Sequence, residues 1–157
     1  MSILFLLSAE EARKIPQDIL ALEDGWWWLR SPGNYSKGAT VVYDDGSVSN
    51  SGRGINNGMV AVRPAIHIEA GQLNFLYRTK KGYVKLGTKP NGKPIKWIDI
   101  SEYVGRPCLL MKKPIEQHRF DEKSNDYNTS EIKMRLDELD DILFTDEERE
   151  MIEDWEE

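Results

Sequence analysis

Few residues in this chain are spaced for bond-making chemistry. The two histidines, His67 and His118, fall in a strand-like run and in a connecting segment, without a nearby G-x-S-x-G turn or metal-ligand spacing. The single cysteine, Cys108, sits inside the apolar run Pro107-Cys108-Leu109-Leu110-Met111, so an intramolecular disulfide is impossible and a small buried hydrophobe is expected. The glycines of Gly25 to Gly33 and Gly82 to Gly92 lack the glycine-lysine signature of a phosphate loop. Asp44, Asp45 and Asn50 offer oxygens suited to calcium, but their spacing matches no dedicated loop. No catalytic residue, no metal and no cofactor is therefore assigned, and recognition is the chemistry left to weigh.

The segment Asp44 to Gly58 is the first candidate for a binding surface. Asp44, Asp45, Asn50, Arg53, Asn56 and Asn57 combine short polar side chains with Gly46, Gly52, Gly54 and Gly58, a composition that reads either as an adaptable recognition loop or as a long solvated one. The second candidate is acidic. From Asp121 to Glu157 the chain carries 16 acidic and 4 basic residues, so the remainder is net positive although the whole is −6. Asp137, Asp140 and Asp141 stand for this surface. It is either an ordinary solvated face, pairing with the protein's own basic segment, or an imitation of nucleic-acid phosphates that occupies a basic groove on another protein. Direct nucleic-acid contact by this half is disfavoured by repulsion.

Trp26, Trp27 and Trp28 offer aromatic faces suited to sugars or bases. On a strand, however, Trp26 and Trp28 would share one face and Trp27 take the other, so at least one face is core. Arg30 and Arg63 are expected to stack on indoles and bond loop carbonyls.

The elements that must hold these residues are legible in part. Ile3 to Leu7 reads as a strand entering a helix with a Ser8/Glu11 capping box, limited by Pro16 and then Asp24-Gly25. Thr40 to Tyr43 is rich in strand formers, and Asp44-Asp45-Gly46-Ser47 supplies a turn. Met59 to Ile68 reads as one more strand with a bend at Pro64. Asn128 is a candidate cap for a helix carrying Ile132, Leu136 and Leu139, and Thr145 with Glu148 repeats the device.

Two long motifs, Trp26-Trp27-Trp28-Leu29-Arg30-Ser31-Pro32-Gly33 and Val62-Arg63-Pro64-Ala65, resemble those of an uncharacterised bacterial and phage domain family. In that family a strand like Pro94 to Ile100, with Trp97, comes first. A segment like Cys108 to Met111 follows, then a helix ending in a motif like Phe144-Thr145-Asp146-Glu147-Glu148, and then a segment like Leu6-Leu7-Ser8-Ala9-Glu10-Glu11. Here the halves are exchanged: residues 1–70 resemble the family's C-terminal half and 94–157 its N-terminal half. Residues 71–93 form a basic connector with turn signals at Lys81-Gly82 and Pro90-Asn91-Gly92. A circular permutation, a frame spanning two tandem copies, or half-domains completed by another protomer would each produce this order. The first places the new termini in the family's variable linker.

By pattern the family resembles the C-type-lectin-like group, in which the region matching Asp44 to Gly58 forms a variable binding face. Formylglycine-generating oxidases of that group need a cysteine pair, which this chain lacks. At 157 residues the chain is long enough for one core without disulfide staples. It shows no membrane-spanning run and no secretory leader, so a cytoplasmic location is expected. The expectation is a single α+β domain, circularly permuted, with a small twisted mainly antiparallel sheet and two or three helices. It would serve as a non-enzymatic binding module of phage or mobile-element origin with a protein partner and no direct nucleic acid or membrane contact. The alternative is a nucleic-acid-mimicking inhibitor of a host defence protein, such as an anti-CRISPR.

Overall fold

The computed structural model describes residues 2–157 and shows a mixed α+β fold with mainly antiparallel strands. The chain folds into two compact units, Met1–Phe5 with Pro64–Lys113 and Leu136–Glu157, and Leu6–Arg63 with Pro114–Arg135. Each unit draws on segments far apart in sequence.

The second unit is built on a five-stranded sheet. Its strands are β1 (Trp27–Pro32), β2 (Gly38–Val42), β3 (Val48–Gly54), β4 (Ala61–Val62) and β9 (Glu116–Gln117), in the order β3-β2-β1-β4-β9. Only β1 and β4 run parallel among these neighbours. Helices α1 (Ala9–Arg13) and α2 (Gln17–Leu20) precede the sheet. The expected capping box starts α1: Ser8 Oγ accepts from Glu11 N–H, and the Glu11 carboxylate accepts from Ser8 N–H. Trp27, Trp28, Leu29 and Val41 are fully enclosed, so both faces of β1 are covered where the tryptophans sit.

The first unit holds a four-stranded antiparallel sheet, β5-β8-β7-β6, made of β5 (Ala65–His67), β6 (Val84–Thr88), β7 (Pro94–Asp99) and β8 (Cys108–Met111). Cys108 to Met111 is buried throughout, as its apolar run predicts. Helix α3 (Ser101–Val104) joins β7 to β8, and the division between units falls inside α4 (Glu131–Leu143), which α5 (Asp146–Arg149) follows.

Several elements differ from expectation. Two sheets replace one because the run Met59 to Ile68 splits. Ala61 and Val62 pair with β9, whereas Ala65 to His67 pair with β8. Pro64, which has no N–H to donate, stands at the switch. Among the described residues, five helices replace two or three, since α2 and α3 are single turns too short to show periodicity. Of Ile3 to Leu7 only Phe5 joins a ladder, bridging Ala65, although all five residues are buried. Asn128 is not the cap of α4. It lies in a 3-10 turn, and Ser130 Oγ accepts from Lys133 N–H while Asp121 accepts from Glu131 N–H. Thr145 and Glu148 do form the predicted capping box of α5.

Candidate functional site

Seven of the fifteen residues from Asp44 to Gly58, Val48–Gly54, form an edge strand rather than a loop. A turn closes after Tyr43, whose N–H donates to Ser47 O at 2.8 Å, and Gly46 takes φ 87° there. A Cβ at Gly46 would also lie 2.1 Å from the Gln17 carbonyl oxygen, so glycine is required twice over. Strand β3 then pairs with β2, Val41 opposite Ser49 and Ala39 opposite Arg53. The register shifts between these two pairs, and Asn50, Ser51 and Gly52 form a bulge on the terminal strand. Sequence alternation concealed the strand because its ladder is interrupted at this point.

Beside the bulge, Arg53 belongs to an aromatic and cationic cluster. The Arg53 guanidinium carbon stands 4.0 Å from the Trp26 ring centroid, and Tyr43 meets Trp26 edge-on at 4.3 Å. Trp26 and Tyr43 are half-buried and Arg53 is exposed. Asn50 Oδ1 accepts from the Arg13 guanidinium. Asp45 accepts from Ser47 Oγ at 2.6 Å and Ser47 N–H at 2.9 Å, and these bonds hold its carboxyl below the ordinary aspartate range. Asp44 and Asn56 are exposed, while Asn57 Oδ1 accepts from Met59 N–H at 2.9 Å. The structure therefore brings Arg53 and Asn50 onto one bulged edge and places Asp44 and Asp45 in the turn before it and Asn56 and Asn57 in the turn after it. Tyr43, which sequence reasoning assigned only to a strand, joins the cluster through its ring.

The other signature residues hold the scaffold. Trp27 Nε1 donates to Leu20 O at 3.0 Å, Trp28 Nε1 to His118 O at 2.8 Å, and Trp97 Nε1 to Leu86 O at 2.7 Å. Arg63 is 1% exposed. It donates to Leu20 O at 3.0 Å and Ile19 O at 3.3 Å, at the C-terminal end of α2 where cations are favoured. Burial lowers its pKa to about 10, so it keeps its charge at neutral pH. Arg30 bonds Leu6 O at 2.8 Å and Glu11 at 2.5 Å. Burial alone would raise the Glu11 carboxyl, but bonds from the Ser8 backbone and Arg30 outweigh it and lower the pKa.

The three aspartates expected to form an acidic surface differ in exposure. Asp140 is 1% exposed, and its two oxygens accept from Ile3 N–H at 3.0 Å and Leu4 N–H at 3.1 Å. It anchors the N-terminal segment and presents no charge to a partner. Asp137 is half-buried and accepts from Ser2 Oγ at 2.6 Å, whereas Asp141 is exposed and pairs with Arg149. Helical spacing is the signal that singles out Asp140, which lies four residues after Leu136 and three before Leu143, on the buried apolar stripe of α4.

His67 and Cys108 are register partners across β5 and β8, and both are buried. Among the described residues, no group of three His, Cys, Asp or Glu side chains is arranged to hold a metal ion, and no helix is long and apolar enough to cross a membrane.

No curated protein and no solved structure matches the chain. Residues 1–70, which contain both long motifs, match the sequence model of a family described as a domain of unknown function, DUF6273.

Proposed function

We propose that this protein is a non-enzymatic binding module that recognises a protein partner through the bulged edge of its five-stranded sheet. The observation that carries this reading is the Arg53–Trp26–Tyr43 cluster. A half-buried indole beneath an exposed guanidinium, with a tyrosine ring edge-on to it, has the residue types that dominate interface energetics. The bulge on a terminal strand adds a second support, since such irregularities re-aim side chains away from the ladder. The exchanged motif order supports a circularly permuted domain, while a C-type-lectin-like fold and a phage or mobile-element origin rest on the motif resemblance alone. The acidic-mimic alternative has weaker support, because Asp141 alone of its three named residues is exposed.

Replacing Asn50, Arg53 and Asn57 together by alanine tests the reading by quantitative co-purification from cells of the source. Partner recovery falls sharply while unfolding free energy changes by only about 0.5 kcal/mol, the usual scale for surface substitutions. Undiminished recovery would remove this edge from consideration, and multiple turnover of a small substrate by purified protein would overturn the non-enzymatic reading.

A further inference from the structure

The face of the four-stranded sheet carries a row of like charges in which Lys85 and Lys96 form no ion pair. Lys85 and Lys96 are direct register partners across β6 and β7. Trp97 pairs with Met111, and Lys112 N–H donates to Lys96 O at 2.9 Å, which puts Lys112 beside Lys96 on the next strand. Directly opposed side chains share a face, and like charges there are destabilising. The row borders a cleft of about 500 Å³ that is also lined by Lys89, Lys93 and Lys113 and by no acidic residue. Among the described residues, Lys85, Lys89, Lys93, Lys96 and Lys113 form no ion pair, although the same unit contains the acidic C-terminal segment. Within the basic connector, Arg78 pairs with Asp99, but pairing with the protein's own acids does not occur at Lys85, Lys89 or Lys93.

The row ends on aromatics. Lys85 N–H donates to Tyr77 O at 2.8 Å, and the Lys85 ammonium stands 5.1 Å from the Tyr77 ring centroid. Tyr77 is 69% exposed and nearby Phe75 is 81% exposed. Tyr83, which immediately precedes β6, also takes part: the Lys112 ammonium sits 4.3 Å from its ring centroid. A line of ammonium groups with an exposed aromatic face at its end suits a strand of alternating phosphates and bases. Lysines neutralise the backbone, and a tyrosine stacks on a base of any identity. An acidic peptide would use the charges but leave Tyr77 without a stacking partner. A duplex keeps its bases stacked on each other and offers no free base face to the ring.

We propose that the Lys85–Lys96–Lys112 row with Tyr77 is a binding site for single-stranded nucleic acid. Repulsion disfavours such contact at the acidic C-terminal third, but on this sheet the sign of the charge is reversed. The test is fluorescence anisotropy of a labelled oligothymidylate of about 20 nucleotides, longer than one such site requires. Wild-type protein binds at low salt, and log K falls with log salt at a slope of about −2, as expected for three phosphates on a single strand. The double variant Lys85→Ala, Lys96→Ala binds roughly tenfold or more weakly, with a slope near −0.7 and no loss of melting temperature, because repulsion has been removed. Tyr77→Ala binds roughly tenfold more weakly at an unchanged slope, the signature of lost stacking. Absence of binding at low salt overturns the proposal. So does equal competition by poly-glutamate, by duplex of the same length, or an affinity indifferent to Tyr77.

Discussion

Among single residues, Asp140 shows how strongly position governs the role of a carboxylate. Burial raises its pKa to about 6, against the opposing bonds from Ile3 and Leu4 N–H. A group whose folded pKa lies above its unfolded value stabilises most at low pH. The contribution of Asp140 is thus full below about pH 4 and is lost as pH rises through about 6. Asp140→Asn replaces one acceptor oxygen by a donor and strands a buried backbone N–H, so it lowers stability by about 1–3 kcal/mol at neutral pH. Because wild type gains stability on acidification that the amide cannot gain, the penalty grows towards pH 4. Urea unfolding at the two pH values checks this, and a penalty that is smaller at pH 4 would show that the carboxyl is not raised. Arg63, Trp27, Trp28 and Trp97 follow the same logic, each large side chain ending in a donor that meets a backbone carbonyl.

One level up, among strands and helices, the bulge in β3 depends on one glycine. Gly52 has φ 85°, and a Cβ there would lie 2.2 Å from Ala39 O on the neighbouring strand. Gly52→Ala therefore meets both a left-handed backbone penalty and a clash with main chain that cannot rotate away. The expected loss is about 1–3 kcal/mol in chemical denaturation. If the bulge presents Asn50 and Arg53, partner recovery falls with it at temperatures where the variant remains folded. A variant as stable as wild type would mean that the strand repairs its register without the bulge. Capping chemistry was readable in advance at Ser8 and Thr145 because the motif is local. The start of α4 was misplaced because its caps, Ser130 and Asp121, include a side chain ten residues away.

Across the molecule as a whole, the two ends of the described chain are hydrogen-bonded: Trp155 N–H donates to Ser2 O at 2.7 Å. Strands from the two sequence halves also pair with each other, β5 with β8 and β4 with β9. Linking residue 157 to residue 1 through a flexible linker and opening the chain between Gly82 and Tyr83 would give the motif order of the family that the sequence resembles. The cut falls in a turn where Gly82 is exposed and Thr79 N–H donates to Tyr83 O. That permutant melts cooperatively with a native circular dichroism spectrum. Aggregation instead would indicate that the 71–93 connector is essential or that the halves are exchanged between protomers.

Whatever depends on neighbours along the chain was legible in the order of residues. The capping boxes, the Asp44–Ser47 turn, the buried Cys108–Met111 strand and the structural burial of Trp27 and Trp28 follow from local chemistry and alternation. It took the folded arrangement to settle that Met59 to Ile68 serves two sheets, that Asp140 bonds the N-terminal segment, and that Lys85, Lys96 and Lys112 stand in one row. Each of these is set by strand register or by contacts between segments far apart in sequence. Lysines at 85, 96 and 112 share no periodicity, and only antiparallel pairing of three strands puts their charges side by side.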